Sequence, residues 1–333
     1  MPDLCFHSFP RHRSDVPRDH VLRKGELVAR SLLQNGLLLA PENFEIPLLN
    51  DQGVQIDHLK VLQCRICFTE LQPSEIENHS KVFGPYSLAF EIDDLRRIGG
   101  LPVHYVPLPH GTHLYGLASQ IMAGVADATR VIAMLSKIRH QIEISPTLGM
   151  ESSREVNGVM QRDGVRMNAE QTTVLRSFLD EFVQMCSVDL GITHQKLLAA
   201  AASFYPTERV SSTEKLLYYR QREWRIVECG LLQDGQPIAP RSNDLQKQAL
   251  LLIDNGFFSK QVSVPSASGR VGEWEPALIA DRCRFLSRVG DLDVIKLAKF
   301  LVIPDDADQE SLMVREFQQR GIAVKFASEL AVM

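Results

Sequence analysis

The sequence predicts an α+β fold in which a mixed β-sheet core is interrupted by a helical insertion. Three observations lead to this prediction. Extended segments alternate with short helical ones as far as about residue 112, a run rich in helix formers follows, and extended segments return at Leu216. We therefore expect residues 1–112 and 206–333 to build one core, and residues 113–205 to be inserted between its two parts.

The first part of the core contains strands and short helices in alternation. "CFHSF" predicts a strand, "VLRKGELVARSLLQNG" a helix that ends at Gly36, "LLLAPENFEIPLL" an extended segment and "VLQCRICFTEL" the next strand. "QPSEIENHSKV" then predicts a short helix with Pro73 in its first turn, "GPYSLAFEI" a strand, "DDLRRIGG" a short helix and "LPVHYVPL" a strand.

The middle and the end of the chain follow in the same way. "LYGLASQIMAGVADATRVIAMLSKIRHQIE", "AEQTTVLRSFLDEFVQMCSV" and "HQKLLAAAASFYP" predict helices, and a polar stretch, "SSREVNGVMQRDGVRMN", separates the first two. "WRIVECGLL" predicts a strand, and "LDVIKLAKFLVIP" runs into another. "DADQESLMVREFQQRG" predicts a capped amphipathic helix that ends at Gly321, and "IAVKFAS" predicts a last extended segment.

Size and composition narrow the class of protein. A chain of 333 residues with 44% hydrophobic content can bury a core, and a formal net charge of -5 gives no overall cationic field for generic nucleic-acid binding. The polar N-terminus lacks the apolar segment of a signal peptide, and no segment approaches the roughly 18 apolar residues of a membrane span. We expect a soluble, cytoplasmic protein that does not bind membranes.

The cysteine and histidine spacings do not predict a metal site. Cys64 and Cys67 form a single CxxC pair, but strand alternation sends them to opposite faces, and no second pair follows at zinc-finger spacing. His110 and His113 stand in a loop before a helix, where such a pair is more often at the surface than on a metal.

The segment "QREWR" carries an unusual amount of charge for a strand. Alternation places Arg222 and Trp224 on one face, and Glu223 with Gln221 and Arg225 on the other. Two interpretations stay open. The charges form an ion-paired strand face, which is common in sheets, or Glu223 is a carboxylate that chemistry needs on rigid backbone.

Three stretches resemble a known family. The run from "CFTELQPSEIENHS" to "GGLPVHYVPL" is similar to the signature of AbiGi-type abortive infection proteins, "FHSF" with its following helix is similar to their opening motif, and "YYRQREWRIV" to their closing one. The matches cover most of residues 5–110 and 216–228. The resemblance implies a role in bacterial phage defence. Family members are described as antitoxins of a nucleotidyltransferase-like toxin, so the implied partner is a toxin or another defence protein.

A second, more remote resemblance concerns chemistry. The order of "FHSF", "CFTE" and "QRE" is similar to that in ADP-ribosyltransferase folds, which take NAD in a cleft between two small sheets. It implies an ADP-ribosyltransferase-like core with NAD as the ligand and no metal. The implied catalytic residue is Glu223, and the implied NAD-binding residues are His7, Phe68, Thr69, Tyr86, Gln221 and Arg225.

The resemblance implies a role for each of these side chains. His7 would hydrogen-bond a ribose hydroxyl, Thr69 would steady its strand, and Phe68 or Tyr86 would stack on nicotinamide. Structural interpretations compete with these roles: a half-buried histidine whose hydrogen bonds are satisfied, and aromatic rings in the sheet core. The basic cluster of Arg11, His12, Arg13, Arg18, Arg23 and Lys24 is either a diphosphate clamp or a solvated surface.

Two functions therefore remain. The first is an ADP-ribosyltransferase-like module that binds NAD or another nucleotide, active or decayed. The second is a non-enzymatic antitoxin or regulator that binds a partner through the helical region. The first requires His7, Thr69 and Glu223 to line one concave pocket, and the second requires an exposed apolar helix face.

Overall fold

The computed structural model describes residues 3–11, 16–49, 55–106, 148–156, 159–186, 190–206, 222–233, 236–265 and 274–330, together with most positions between 124 and 143. The elements of its first part are β1 (Leu4–Phe9), α1 (Arg18–Asn35), β2 (Leu37–Leu49), β3 (Gln55–Leu71), α2 (Ile76–Phe83), β4 (Tyr86–Glu91), α3 (Ile92–Arg97), β5 (Leu101–Pro102) and β6 (His104–Val106).

The described positions between 124 and 143 are helical. The middle elements that follow are β7 (Leu148–Val156), β8 (Val159–Met167), α4 (Ala169–Cys186), α5 (Leu190–Ala202) and β9 (Phe204–Pro206). The last part contains β10 (Arg222–Val227), β11 (Leu232–Gln233), β12 (Gln236–Pro237), α6 (Asp244–Phe258), β13 (Gln261–Pro265), β14 (Trp274–Leu278), α7 (Ile279–Arg282), β15 (Arg284–Leu286), β16 (Arg288–Val289), β17 (Leu292–Asp293), β18 (Phe300–Ile303), α8 (Leu312–Gln319), β19 (Ala323–Phe326) and α9 (Ala327–Leu330).

One large sheet joins strands from both ends of the chain. Its order is β15-β2-β3-β1-β4-β18-β19, and β10 pairs with β3 and β5. The β18/β19 pair is parallel and the other pairs of this sheet are antiparallel, so the sheet is mixed. The predicted α+β class with a mixed sheet is confirmed at this level. The pairing of β10 with β3 also brings two distant segments of the sequence together.

Along part of one edge, strand β3 is not paired with any of the described strands. It pairs with β2 as far as Arg65, opposite Ala40, and with β1 from Thr69, opposite Phe6. Because β10 pairs with β3 over both positions, β1 and β2 follow one another along the opposite edge. Among the described strands, none pairs with that edge at residues 66–68. We call these three residues the β3 gap.

The two faces of the sheet differ in composition. One face carries the main apolar core, to which β1 contributes Cys5 and Phe9, and α1 and α8 pack against it. The opposite face carries a smaller apolar cluster that includes Phe6 and Phe300, together with side chains from α2 and α9. A third cluster joins α6 to the hairpin β13–β14.

The helix ends follow their sequence signals. Helix α1 stops before Gly36, whose φ of 89° lies in the region that favours glycine, and its amide donates to the carbonyl of Leu32. Ser311 caps α8, since its hydroxyl accepts a hydrogen bond from the Val314 amide. The end of α1 agrees with the predicted boundary, whereas α8 begins six residues after the start of the predicted segment at Asp306.

Two expectations need correction. The polar stretch expected to separate two helices forms most of the antiparallel hairpin β7–β8. The single strand expected in "LPVHYVPL" is two short strands, β5 and β6, which pair with β10 and β9. In both cases non-local pairing decided the structure. Within the described ranges, no helix is long and apolar enough to cross a membrane.

Candidate functional site

The candidate site begins on β3, a core strand in which every second side chain along one face is polar or a thiol instead of apolar. Gln63, Arg65, Cys67 and Thr69 point to the face opposite the main core, whereas the residues between them are buried in that core. Across the strand pair, Glu223 lies opposite Thr69 and Arg225 lies opposite Cys67. We call this row of six side chains the polar face.

Helices cover the two ends of the polar face. The amide Nε2 of Gln63 donates to the carbonyl of Leu198 in α5 at 3.1 Å, and His79 of α2 hydrogen-bonds to the Thr69 hydroxyl at 3.1 Å. Between these two helices Cys67 is exposed. The middle of the polar face is therefore open to solvent.

Glu223 is held by the residue two positions along its own strand. The Nε atom of Arg225 donates to the Glu223 carboxylate at 2.7 Å, and the two side chains are only 13% and 5% exposed. A charged pair buried to this extent costs desolvation energy, which its hydrogen bonds offset only in good geometry. The carboxylate consequently has a fixed position on rigid backbone.

The other face of β10 also matches the predicted alternation. Arg222 forms an ion pair with Glu70, and the indole Nε1 of Trp224 donates to the same carboxylate at 3.3 Å. The guanidinium of Arg96 lies over the Trp224 ring at 5.3 Å. The charge in "QREWR" is thus distributed to two separate ion-paired groups, one on each face.

His7 lies at the β3 gap. Its Nδ1 atom is 2.9 Å from the carbonyl oxygen of Cys67, and its ring contacts those of Phe9 and Phe68. Burial lowers the pKa of His7, and the hydrogen bond to Cys67 opposes that effect. The neutral ring therefore donates from Nδ1, and Nε2 is left as an acceptor. Among the described residues, Nε2 has no hydrogen-bond partner.

Cys67 is the common neighbour of the two predicted site residues. Its carbonyl accepts from His7, and its thiol interacts with the carboxylate of Glu223. The pKa of Cys67 is raised to about 11, first because the surrounding protein desolvates the thiol and second because Glu223 is negatively charged. The residue nevertheless has solvent access. A thiol with this pKa is a poor nucleophile at neutral pH.

Thr69 belongs to a buried hydrogen-bond network that the sequence did not predict. His79 joins Thr69 to Ser8, at 3.1 Å on either side, and Ser8 lies 2.7 Å from the Ser87 hydroxyl. Burial lowers the pKa of His79 to about 4, and its ring stacks on Phe83. The pattern of small hydroxyl residues in "FHSF", "CFTE" and "YSLAF" was the only available signal.

Phe68 and Tyr86, the residues expected to stack on nicotinamide, are buried in the main core instead. Phe68 packs edge-on to Phe90, and Tyr86 stacks on Phe9. Neither ring offers surface to a ligand in this structure. The reason is alternation: both residues face the side of the sheet covered by α1.

The remaining predicted binding residues have mixed outcomes. Gln221 lies outside the described residues, as do His12 and Arg13. Arg18 forms a bidentate pair with Asp306, and Lys24 forms an ion pair with Asp254. The basic cluster is therefore partly neutralised by acids from the end of the chain.

Other parts of the described structure offer no rival constellation. A groove of about 600 Å³ lies between the C-terminal ends of α1 and α8, away from every predicted site residue. Its carboxylates are engaged, Glu316 by Arg30 and Asp293 by the amide of Ile295. Among the described residues, no group of three or more His, Cys, Asp or Glu side chains could hold a metal ion.

The fold and the site together define an α+β protein with a large mixed sheet and a buried charged pair beside a gap in that sheet. Comparison of the chain with protein families, curated proteins and solved structures found no match.

Proposed function

We propose that this protein is an ADP-ribosyltransferase-like module of bacterial phage defence that binds NAD at the β3 gap. One observation carries the proposal. His7 of β1 and Glu223 of β10, which are far apart in the sequence, both contact Cys67 of β3. The imidazole reaches the Cys67 carbonyl from the side of Phe9 and Phe68, and the fixed carboxylate reaches the Cys67 thiol on the exposed polar face.

The chemistry of NAD fits these two groups. Breaking the bond between nicotinamide and ribose gives the sugar oxocarbenium character, which a positioned carboxylate stabilises. Glu223 would supply this carboxylate, and Arg225 would hold it in place. The Nε2 atom of His7 would accept a hydrogen bond from a ribose hydroxyl, because Nδ1 already donates to the backbone.

The fit covers the ribose end of the ligand only. The two aromatic rings expected for nicotinamide are buried, and the Arg225 guanidinium is occupied by Glu223. We therefore assign to His7 and Glu223 the contacts with ribose, and to Arg225 a positioning role. Stacking on nicotinamide by Phe68 or Tyr86 forms no part of the proposal.

Calorimetric titration of NAD into the purified protein tests the proposal. We expect micromolar to low-millimolar binding by the wild type, and loss of most of that affinity in His7→Ala and in Glu223→Gln. The glutamine keeps the size of the side chain while removing the charge that binds the ribose. Folding of each variant is checked first by urea unfolding.

Glu228→Gln is the matched control. Glu228 also forms a half-buried pair with an arginine, Arg284 at 2.7 Å, but takes no part in the polar face. We expect this variant to bind NAD like the wild type. A well-folded wild type that binds no NAD would reject the proposal.

One observation favours the alternative, a non-enzymatic antitoxin that binds a toxin through the helical region. Val174 and Phe178 lie one turn apart on α4 and are 66% and 61% exposed. Exposed apolar side chains at this spacing are typical of helix faces that bind a partner. Absence of NAD binding would leave this alternative as the better supported function.

A further inference from the structure

The buried hydroxyl network described above has a direction that can be worked out from its donors. It contains the hydroxyls of Ser87, Ser8 and Thr69 and the two ring nitrogens of His79. Each hydroxyl has one hydrogen to donate, and a neutral imidazole has one N–H and one acceptor nitrogen. The chain of contacts can therefore run in only two ways, from Ser87 to Thr69 or from Thr69 to Ser87.

The two directions differ at the ends of the chain. If the hydrogen bonds run from Thr69 towards Ser87, the last donor is the Ser87 hydroxyl, which is fully buried and has no acceptor among the described residues. An unpaired buried donor is costly, because it loses its bonds to water without replacement. If the bonds run the other way, Ser87 donates to Ser8 and the buried end is satisfied.

The direction from Ser87 to Thr69 determines which nitrogen of His79 carries the hydrogen. Ser8 then donates to Nδ1 of His79, and the Nε2–H of His79 donates to the Thr69 hydroxyl oxygen. Burial keeps the ring neutral near pH 7, as this arrangement needs, since it lowers the pKa of His79 to about 4. The Thr69 hydroxyl hydrogen is the one donor left without an acceptor in the network, and Thr69 retains 8% exposure whereas Ser87 has none, so the unpaired donor stands at the less buried end.

We propose that Ser87, Ser8 and His79 form a directional relay that positions the Thr69 hydroxyl as a hydrogen-bond donor on the polar face. Thr69 lies directly opposite Glu223 in the strand pair, so its donor stands beside the proposed ribose-binding carboxylate. A ligand of this site would present a hydrogen-bond acceptor, such as a hydroxyl or phosphate oxygen, next to Thr69. Only this last step rests on the proposed function.

The direction of the relay is tested without any ligand. In protein with 15N-labelled histidine, NMR distinguishes the two neutral tautomers, and a His79→Gln variant assigns the signal. We expect the Nε2–H tautomer at pH 7 with Nδ1 unprotonated. The Nδ1–H tautomer would overturn the relay, since the hydrogen bonds would then run towards Ser87.

The role of Thr69 is tested by its affinity for NAD. Thr69→Val keeps the shape of the side chain and removes both the donor and the oxygen that accepts from His79. Once urea unfolding has shown that the variant folds, we expect binding to weaken by about 10-fold, the loss of one hydrogen bond to the ligand. Thr69→Ser restores the donor and should recover most of the affinity. Thr173→Val, at an exposed hydroxyl of α4, is the control and should bind like the wild type.

The outcomes separate the relay from the proposed function. An Nε2–H tautomer in a protein that binds no NAD would support the relay while rejecting NAD as the ligand. An unchanged NAD affinity in Thr69→Val would overturn the role given to Thr69, even with the expected tautomer. Weakened binding in Thr69→Val and recovery in Thr69→Ser, with the expected tautomer, would support both.

Discussion

At the scale of single residues, the pair of Glu223 and Arg225 is consistent with both a structural and a ligand-binding interpretation. Their short contact and low exposure are what a structural ion pair needs, and they also fix a carboxylate where a ligand can reach its neighbourhood. Removing either charge takes a close partner from the other, which is itself mostly buried. A loss of binding in a Glu223 variant is therefore informative only when folding is measured beside it.

Tyr86 gives a prediction at the same scale. Its hydroxyl is buried and has no hydrogen-bond partner among the described residues. Because an unpaired buried hydroxyl is destabilising, we expect Tyr86→Phe to raise the free energy of unfolding by up to about 1 kcal/mol. We also expect NAD affinity to be unchanged, since the ring lies in the main core. Urea unfolding and calorimetry measure the two effects.

A destabilised Tyr86→Phe protein would contradict this account. It would mean that the hydroxyl makes a hydrogen bond in solution, for example to a buried water molecule. A loss of NAD affinity without loss of stability would return Tyr86 to the list of ligand-binding residues.

At the scale of elements, the packing of α1 on β4 depends on a missing side chain. Gly25 lies in the interior of α1, and a Cβ atom at this position would stand 2.2 Å from two ring carbons of Tyr86. Replacing a helical glycine by alanine ordinarily stabilises a protein by up to about 1 kcal/mol. Here we expect the opposite sign, because helix and ring would have to move apart.

Thermal and urea unfolding of Gly25→Ala would measure this effect, with a loss of about 1–3 kcal/mol expected from overpacking. Gly124→Ala is the matched control, because Gly124 is also helical and a Cβ there meets no atom of the described residues within 4 Å. We expect the control to be neutral or stabilised. Equal stabilisation of both variants would show that α1 and Tyr86 are not in close contact.

The hairpin β7–β8 shows where element prediction failed and why. Both strands are rich in polar and charged residues, so their alternation carries no apolar face that would mark them as extended. A local signal was present, because the dipeptide Asn157-Gly158 stands between the two strands in the sequence. Asn-Gly between alternating segments is a strong indication of a hairpin.

At the scale of the whole molecule, the buried network predicts a pH dependence of global stability. His79 has a pKa of about 4 in the folded protein, against 6.5 for an unperturbed histidine. The unfolded chain therefore binds this proton first. The contribution of His79 to stability is fully present above about pH 6.5 and is lost as the pH falls from there to about 4.

The expected loss over that interval is about 3 kcal/mol for His79 alone. Urea unfolding between pH 7.5 and 4 would measure it, and His79→Gln, which cannot titrate, would remove this part of the slope. His7 adds a loss of the same sign in both proteins, because burial also lowers its pKa. Parallel pH profiles for wild type and variant would contradict a neutral, buried His79.

The sequence by itself determined the class of fold and most of the local elements. The end of α1 at Gly36 and the alternation that separates Trp224 from Glu223 follow from local backbone and periodicity rules. These features depend on neighbours within a few residues, which the sequence shows directly.

Only the tertiary structure decided which side chains share a site. The pairing of β10 with β3 brings Glu223 to Cys67, the pairing of β1 with β3 brings His7 there, and strand alternation buries Phe68 and Tyr86 in the core. The relay through His79 joins three strands and a helix. Strand order and register arise from non-local hydrogen bonds and core packing, and a one-residue change in register would send each of these side chains to the other face.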